Sequence, residues 1–190
     1  MYNVQCAMYN VRCAMYNVPC AIYIDGGRNI MIAVTILCVG KLKERYWTEA
    51  CEEYAKRLKG SCQFRIAEVE EERMPDKFSP AHIRHTLEKE GQRLLAAIPK
   101  GAFVTALCIE GRLHTSEELA QAIEEAAVSG CGHIVFIIGG SWGLSDAVKK
   151  AARLHLSMSR MTFPHQLARV MLCEQIYRAF QINGGGQYHK

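Results

Sequence analysis

HIVFIIGGSWGLSDAV, residues 133–148, is the stretch on which the fold turns. After the histidine it is apolar at every position up to Gly139 and Gly140. A strand covered on one face alternates polar and apolar residues. An unbroken apolar run belongs to a strand covered on both faces, as in parallel sheets. Gly139, Gly140 and Gly143 then give the backbone a tight path, and Ser145-Asp146 caps a following helix. The stretch reads as strand, glycine loop, helix.

The same unit recurs to either side. IAVTILCV (32–39) is another continuous apolar run, closed by Gly40, and residues 44–59 have helical spacing through Trp47, Cys51, Tyr54 and Leu58. QFRIAEV (63–69) alternates like a half-covered strand, and a polar loop leads to Ser79-Pro80, the start of a helix to about Ile98. FVTALCIE (103–110) is a third strand. Thr115-Ser116-Glu117-Glu118 is a capping-box entry to a helix stopping near Gly130. After the strand at 133–140 come a short helix at 144–152, a strand at 154–159 and a last helix at 164–182. The alternation predicts an α/β fold: a mostly parallel sheet with helices on both faces.

The first thirty residues are a different text. MYNVQCA, MYNVRCA and MYNVPCA repeat with a period of seven. Their e and g positions carry almost no charge and Pro19 breaks the third heptad, so a coiled coil is not expected. Residues 1–30 read as a repetitive extension, disordered or weakly β-prone, and Met31 as the opening of the first buried strand and the candidate initiator. The domain is then residues 31–190. Its size lets a core hide about 70% of the unfolded chain's surface. The net charge of +4 permits a nucleic-acid partner without the excess of a histone-like binder. None of the nine cysteines forms a CxxC pair, which favours reduced packing residues in a cytoplasmic protein. No stretch approaches 18 apolar residues, so no membrane span is expected. No signal-peptide pattern opens the chain. His82 and His85 alone do not make a metal site, and none is expected.

Ligands of parallel α/β sheets sit beyond the carboxyl ends of the strands. The loops to watch therefore follow Ile109, Ile138 and Met158. In IIGGSWGLSDAV (137–148) the glycines allow backbone to approach a ligand, or simply make a tight strand–helix turn. The spacing fits neither a dinucleotide fingerprint nor a P-loop. LSMSRMTFPH (156–165) gathers hydroxyls, a base and a proline, either for adenine-reading backbone or as an ordinary loop. In ALCIEGRLHTSEE (106–118), Gly111-Arg112 turns the chain at a strand end.

Together, ILCVGKLKERYW, EKEGQRLL, FIIGGSWGL, MTFPHQLARVMLCEQIYRAF and the closing YHK resemble the SPOUT-class RNA methyltransferases, specifically the RlmH group. The resemblance spans Met31 to Lys190. It implies a C-terminal trefoil knot, S-adenosylmethionine as cofactor, and methylation of N3 of a pseudouridine in bacterial 23S rRNA of the assembled ribosome. It also implies a homodimer whose active sites are completed across the interface. The matching cofactor positions are Leu107, Gly139, Met158, Ser159, Arg160, Met161, Thr162 and Phe163. His189 and Arg169 are the implied catalytic base or polarising cation, with Tyr188 on the target base. Apart from the resemblance, Arg160, Arg169, Arg178 and Lys190, with Lys41, Lys43 and Arg45, concentrate positive charge suited to rRNA phosphates; a solvated face, with Glu174 and Arg178 as an i,i+4 pair, is the alternative. Phe163, Leu167, Val170 and Met171 form a stripe that suits either a dimer surface or the monomer's own core. Where the family usually carries an arginine and an acidic residue, this chain reads Asn183-Gly184-Gly185-Gly186-Gln187. Two other functions stay open: a non-catalytic ribosome-binding homologue, and a nucleotide-binding oxidoreductase domain.

Overall fold

The computed structural model describes residues 22–25 and 28–185. The chain runs β1 (Ile22–Asp25), β2 (Arg28–Met31), β3 (Ala33–Val39), α1 (Arg45–Leu58), β4 (Gln63–Val69), α2 (Pro80–Ala97), β5 (Phe103–Leu113), α3 (Ser116–Val128), β6 (His133–Ile138), α4 (Asp146–Ala151), β7 (Leu154–Ser157) and α5 (His165–Asn183). β3 to β7 form one sheet in the order β4-β3-β6-β5-β7, and every pairing is parallel.

The unbroken apolar strands are buried on both faces. Val34, Ile36 and Cys38 of β3, with Ile134, Phe136 and Ile138 of β6, face α1, α3 and α5. Their alternate neighbours Leu37, Val39, Val135 and Ile137 face α2 and α4 through Leu94 and Val148. β4 lies at the edge and keeps its mixed pattern of exposure. Ser79 caps α2 by accepting from the His82 amide, while His82 Nδ1 accepts from the Ser79 amide at 3.1 Å. Thr115 and Glu118 make the expected reciprocal cap on α3. Cys38, Cys51, Cys62 and Cys173 are buried free thiols, as packing residues should be.

Several boundaries differ from the expectation, β7 among them, which stops at Ser157 and not at 159. Met31 does not open the buried strand; it closes a short antiparallel pair, opposite Ile22. The register sets Ile22 opposite Met31 and Asp25 opposite Arg28, a pairing that the change of composition at Met31 does not reveal. β6 stops at Ile138 instead of Gly140, because the glycines fold back: Gly140 and Gly143 form an isolated bridge. Gly111-Arg112 does not turn the chain but continues β5 to Leu113. There the register against β7 jumps, so that Leu156 is partner first to Leu107 and then to Arg112. The intervening residues bulge out, and Gly111 permits it: a Cβ there would lie 2.8 Å from the backbone of His155 and Leu156.

Candidate active site

The sheet order sets Leu107, Gly139 and Met158 side by side. Ala106 is partner to Ile137 and Leu107 to Leu156, so Leu107, within β5, stands between Gly139, just past the end of β6, and Met158, just past the end of β7. Leu107, Met158, Ser159 and Phe163 are half-buried, whereas Arg160, Met161 and Thr162 are exposed, Met161 at 68%. The loop after β7 is held by its own hydroxyls. Ser157 Oγ donates to the Ser159 carbonyl, and the Met161 amide donates to Ser159 Oγ, each at 3.0 Å.

The glycine loop is closed by contacts no side chain would permit. A Cβ on Gly139 would sit 2.2 Å from the Gly143 carbonyl oxygen. Gly143 itself takes φ +85°, a left-handed backbone that glycine adopts freely. α2 presses on the same loop, since a Cβ on Gly91 would strike Ser145 Oγ at 2.3 Å. Ser145 is thereby fixed as the cap of α4, accepting from the Val148 amide.

Arg169 is fully buried, at 0% exposure. Its Nη1 donates to Glu68 Oε1 at 2.6 Å and its Nη2 to the Gly40 carbonyl at 3.1 Å. Glu68 Oε1 also accepts from the Leu42 amide. One guanidinium thus ties α5 to the ends of β3 and β4. Arg178 donates through Nε and Nη2 to Glu174 Oε1 at 2.9 and 2.7 Å, the i,i+4 pair foreseen as the alternative. Arg45 pairs with Glu49 on the surface. Val170 packs against the core of its own chain, while Phe163, Leu167 and Met171 are half-buried. Tyr188, His189 and Lys190 lie outside the described residues.

His165 is a residue the sequence reading passed over. It opens α5 directly behind the loop after β7 and is half-buried. Burial, then the positive charge of Arg169, lowers its pKa below the ordinary histidine value, with Glu71 opposing and Lys43 adding to the effect. A neutral imidazole is held there, able to accept a proton. The signal was its place: a Pro-His pair at the mouth of the last helix, beside the loop already singled out.

Beside these loops, a cleft of about 860 Å³ lies at the ends of β3 and β4 and reaches the glycine loop only through Ser141 and Trp142. Among the described residues no three His, Cys, Asp or Glu side chains converge to hold a metal ion, and no helix is long and apolar enough to cross a membrane.

Residues 32–189 match the family described as "Predicted SPOUT methyltransferase". The chain belongs to the SPOUT methyltransferase family. It is 50% identical over 157 residues, 83% of this chain and 99% of the relative, to the ribosomal RNA large subunit methyltransferase H of Ligilactobacillus salivarius. Proteins of the same name from Bacillus pumilus and Clostridium acetobutylicum are 48% and 46% identical, over the same shares of each chain. In this SPOUT methyltransferase the parallel sheet and the helices on both its faces agree with the resemblance, and the match begins where the main sheet does, leaving the repeat outside it.

Proposed function

We infer that the chain transfers a methyl group from S-adenosylmethionine to N3 of a pseudouridine in large-subunit rRNA of the assembled ribosome, acting as a cytoplasmic homodimer. One observation carries the reading: in a SPOUT methyltransferase, Leu107 on β5, Gly139 after β6 and the 158–163 loop after β7 belong to three adjacent strands of the sheet. The relatives' names support ribosomal RNA as the substrate.

The residues fit a nucleoside cofactor. Leu107, Met158 and Phe163 offer half-buried apolar surface, and Gly139 lets the glycine loop fold back against Gly143 beside them. When bound, the cofactor supplies a methyl group already activated on a sulfonium. The chain's task is to align the target nitrogen and exclude water, which is worth roughly 7–11 kcal/mol. The N3 proton must leave as the N–C bond forms, and a neutral imidazole, His189 or His165, takes it. Arg169 acts as a positioning residue, fixing the start of α5 against Gly40 and Glu68. Tyr188 stacks on the target base, while Lys190 and Arg160 meet phosphates. The C-terminal trefoil knot belongs to this reading. So does the stripe Phe163, Leu167 and Met171 as dimer surface.

The test is transfer of label from methyl-tritiated S-adenosylmethionine to assembled ribosomes lacking the modification. Label is expected in large-subunit rRNA at a pseudouridine. Ribosome binding without incorporation, while a related methyltransferase works alongside, contradicts the reading.

A further inference from the structure

The cleft beside the glycine loop has a chemistry of its own. Its volume, about 860 Å³, suits a small organic ligand. Six carboxylates line it, those of Glu68, Glu70, Glu71, Glu72, Asp76 and Glu90. Arg169 neutralises Glu68 and Arg93 neutralises Glu72. With Lys41 and Arg73, the remaining lining cations, each set against one carboxylate, two carboxylates stay in excess. The cleft of a basic protein thus gathers more carboxyl groups than cations.

Glu90 gives this surplus a focus. It is 3% exposed, and its Oε1 accepts from the Glu72 amide at 3.0 Å. Its Oε2 has no hydrogen-bond partner. That oxygen faces Gly140, where a Cβ would come within 3.1 Å of it, and Gly140 supplies no donor there. Burial raises the carboxyl pKa most, Glu71 and Glu72 add to the rise, and the Glu72 amide and Arg93 oppose it. An unsatisfied carboxyl at such a depth costs free energy that a cationic donor entering the cleft would recover. At the rim, Phe78 and Trp142 pack edge to face with centroids 5.0 Å apart, yet are 53% and 38% exposed. Exposed aromatic faces attract ammonium groups. A bare metal ion fits poorly, because no three metal-ligating side chains converge among the described residues.

We propose that this cleft binds an organic polycation of the alkylammonium class, its ammonium groups meeting Glu90 and Glu71 and its methylene chain lying against the Phe78–Trp142 pair. The site is distinct from Leu107, Gly139 and the 158–163 loop, and it stands whether or not the methyl-transfer reading does. Alkylammonium groups come either as a free polyamine or as lysine side chains of a basic polypeptide.

The experiment follows Trp142 emission of the full chain in a Trp47→Phe background. Spermidine, tetralysine amide and magnesium chloride are titrated separately at constant ionic strength. Saturable binding of one organic cation, not displaced by magnesium at equal charge, is expected. Tighter binding of spermidine marks a free amine as the ligand, and tighter binding of tetralysine a polypeptide. Glu90→Gln keeps an acceptor for the Glu72 amide, and Glu71→Gln lies at an exposed position where folding is not at stake; each should weaken binding by about tenfold. No saturation by either organic cation, equal displacement by magnesium, or unchanged affinity in Glu71→Gln overturns the proposal.

Discussion

Arg169 shows how one buried charge can organise a corner of the molecule. Its guanidinium is sealed from water, while Glu68 keeps nearly a third of its side-chain surface exposed. Removing the carboxylate strands the cation, so Glu68→Ala is expected to cost about 3 kcal/mol, the low end of the range for a broken buried pair. Adding Arg169→Met should recover part of that loss. Urea midpoints measure both, and a single-variant loss below about 0.5 kcal/mol would make the pair energetically idle. His165 gives the same corner a pH signature. Its folded pKa lies below the unfolded value of 6.5, so the unfolded chain binds the extra proton. Its contribution to stability is complete above pH 6.5 and is lost as pH falls from there toward the lowered folded pKa. His165→Gln should flatten the stability profile in that window; an unchanged slope refutes the assignment. The burial of Arg169 was not legible in the sequence, because its partners Glu68 and Gly40 lie far away in the chain and meet it only through the packing of α5.

Strand and helix assignments were legible wherever burial on both faces wrote continuous apolar runs, as in β3 and β6, and where caps declared themselves, as at Ser79 and Thr115. The β5 bulge was not, because a register jump is a property of two strands and Gly111 reveals it only against the β7 backbone. Gly111→Ala forces a Cβ to 2.8 Å from that backbone. Overpacking of this kind costs about 1–3 kcal/mol. The expected result is a lowered melting temperature and weaker cofactor binding, since β7 leads straight into the 158–163 loop. Differential scanning calorimetry and a binding titration together check it. A variant with wild-type melting and affinity would show that the register jump does not position the loop.

At the scale of the whole chain, the five-stranded sheet with α1, α3 and α5 on one face and α2 and α4 on the other holds both buried apolar clusters. β1 and β2 pair with each other and not with it. Deleting residues 1–30 is therefore expected to leave methyl transfer within about twofold of the full chain, a change below 0.5 kcal/mol in activation free energy. A larger loss would assign the extension a role. Two of the three expected loops, those after Ile138 and Met158, do follow strand ends, whereas the one expected after Ile109 is strand because β5 runs on to Leu113. Which loops adjoin could not be named from the sequence, since the order β4-β3-β6-β5-β7 departs from chain order. The acidic cleft was illegible for the same reason: Glu90 on α2, Glu71 after β4 and Trp142 after β6 share a wall only once the sheet is assembled.

Isothermal titration of the folded chain with S-adenosylmethionine tests the central claim most directly. The account predicts saturable heat at one site per chain, lost in Gly139→Ala, whose Cβ would intrude to 2.2 Å from the Gly143 carbonyl. Absence of heat with the folded wild-type chain, or undiminished binding by a folded Gly139→Ala variant, would contradict it.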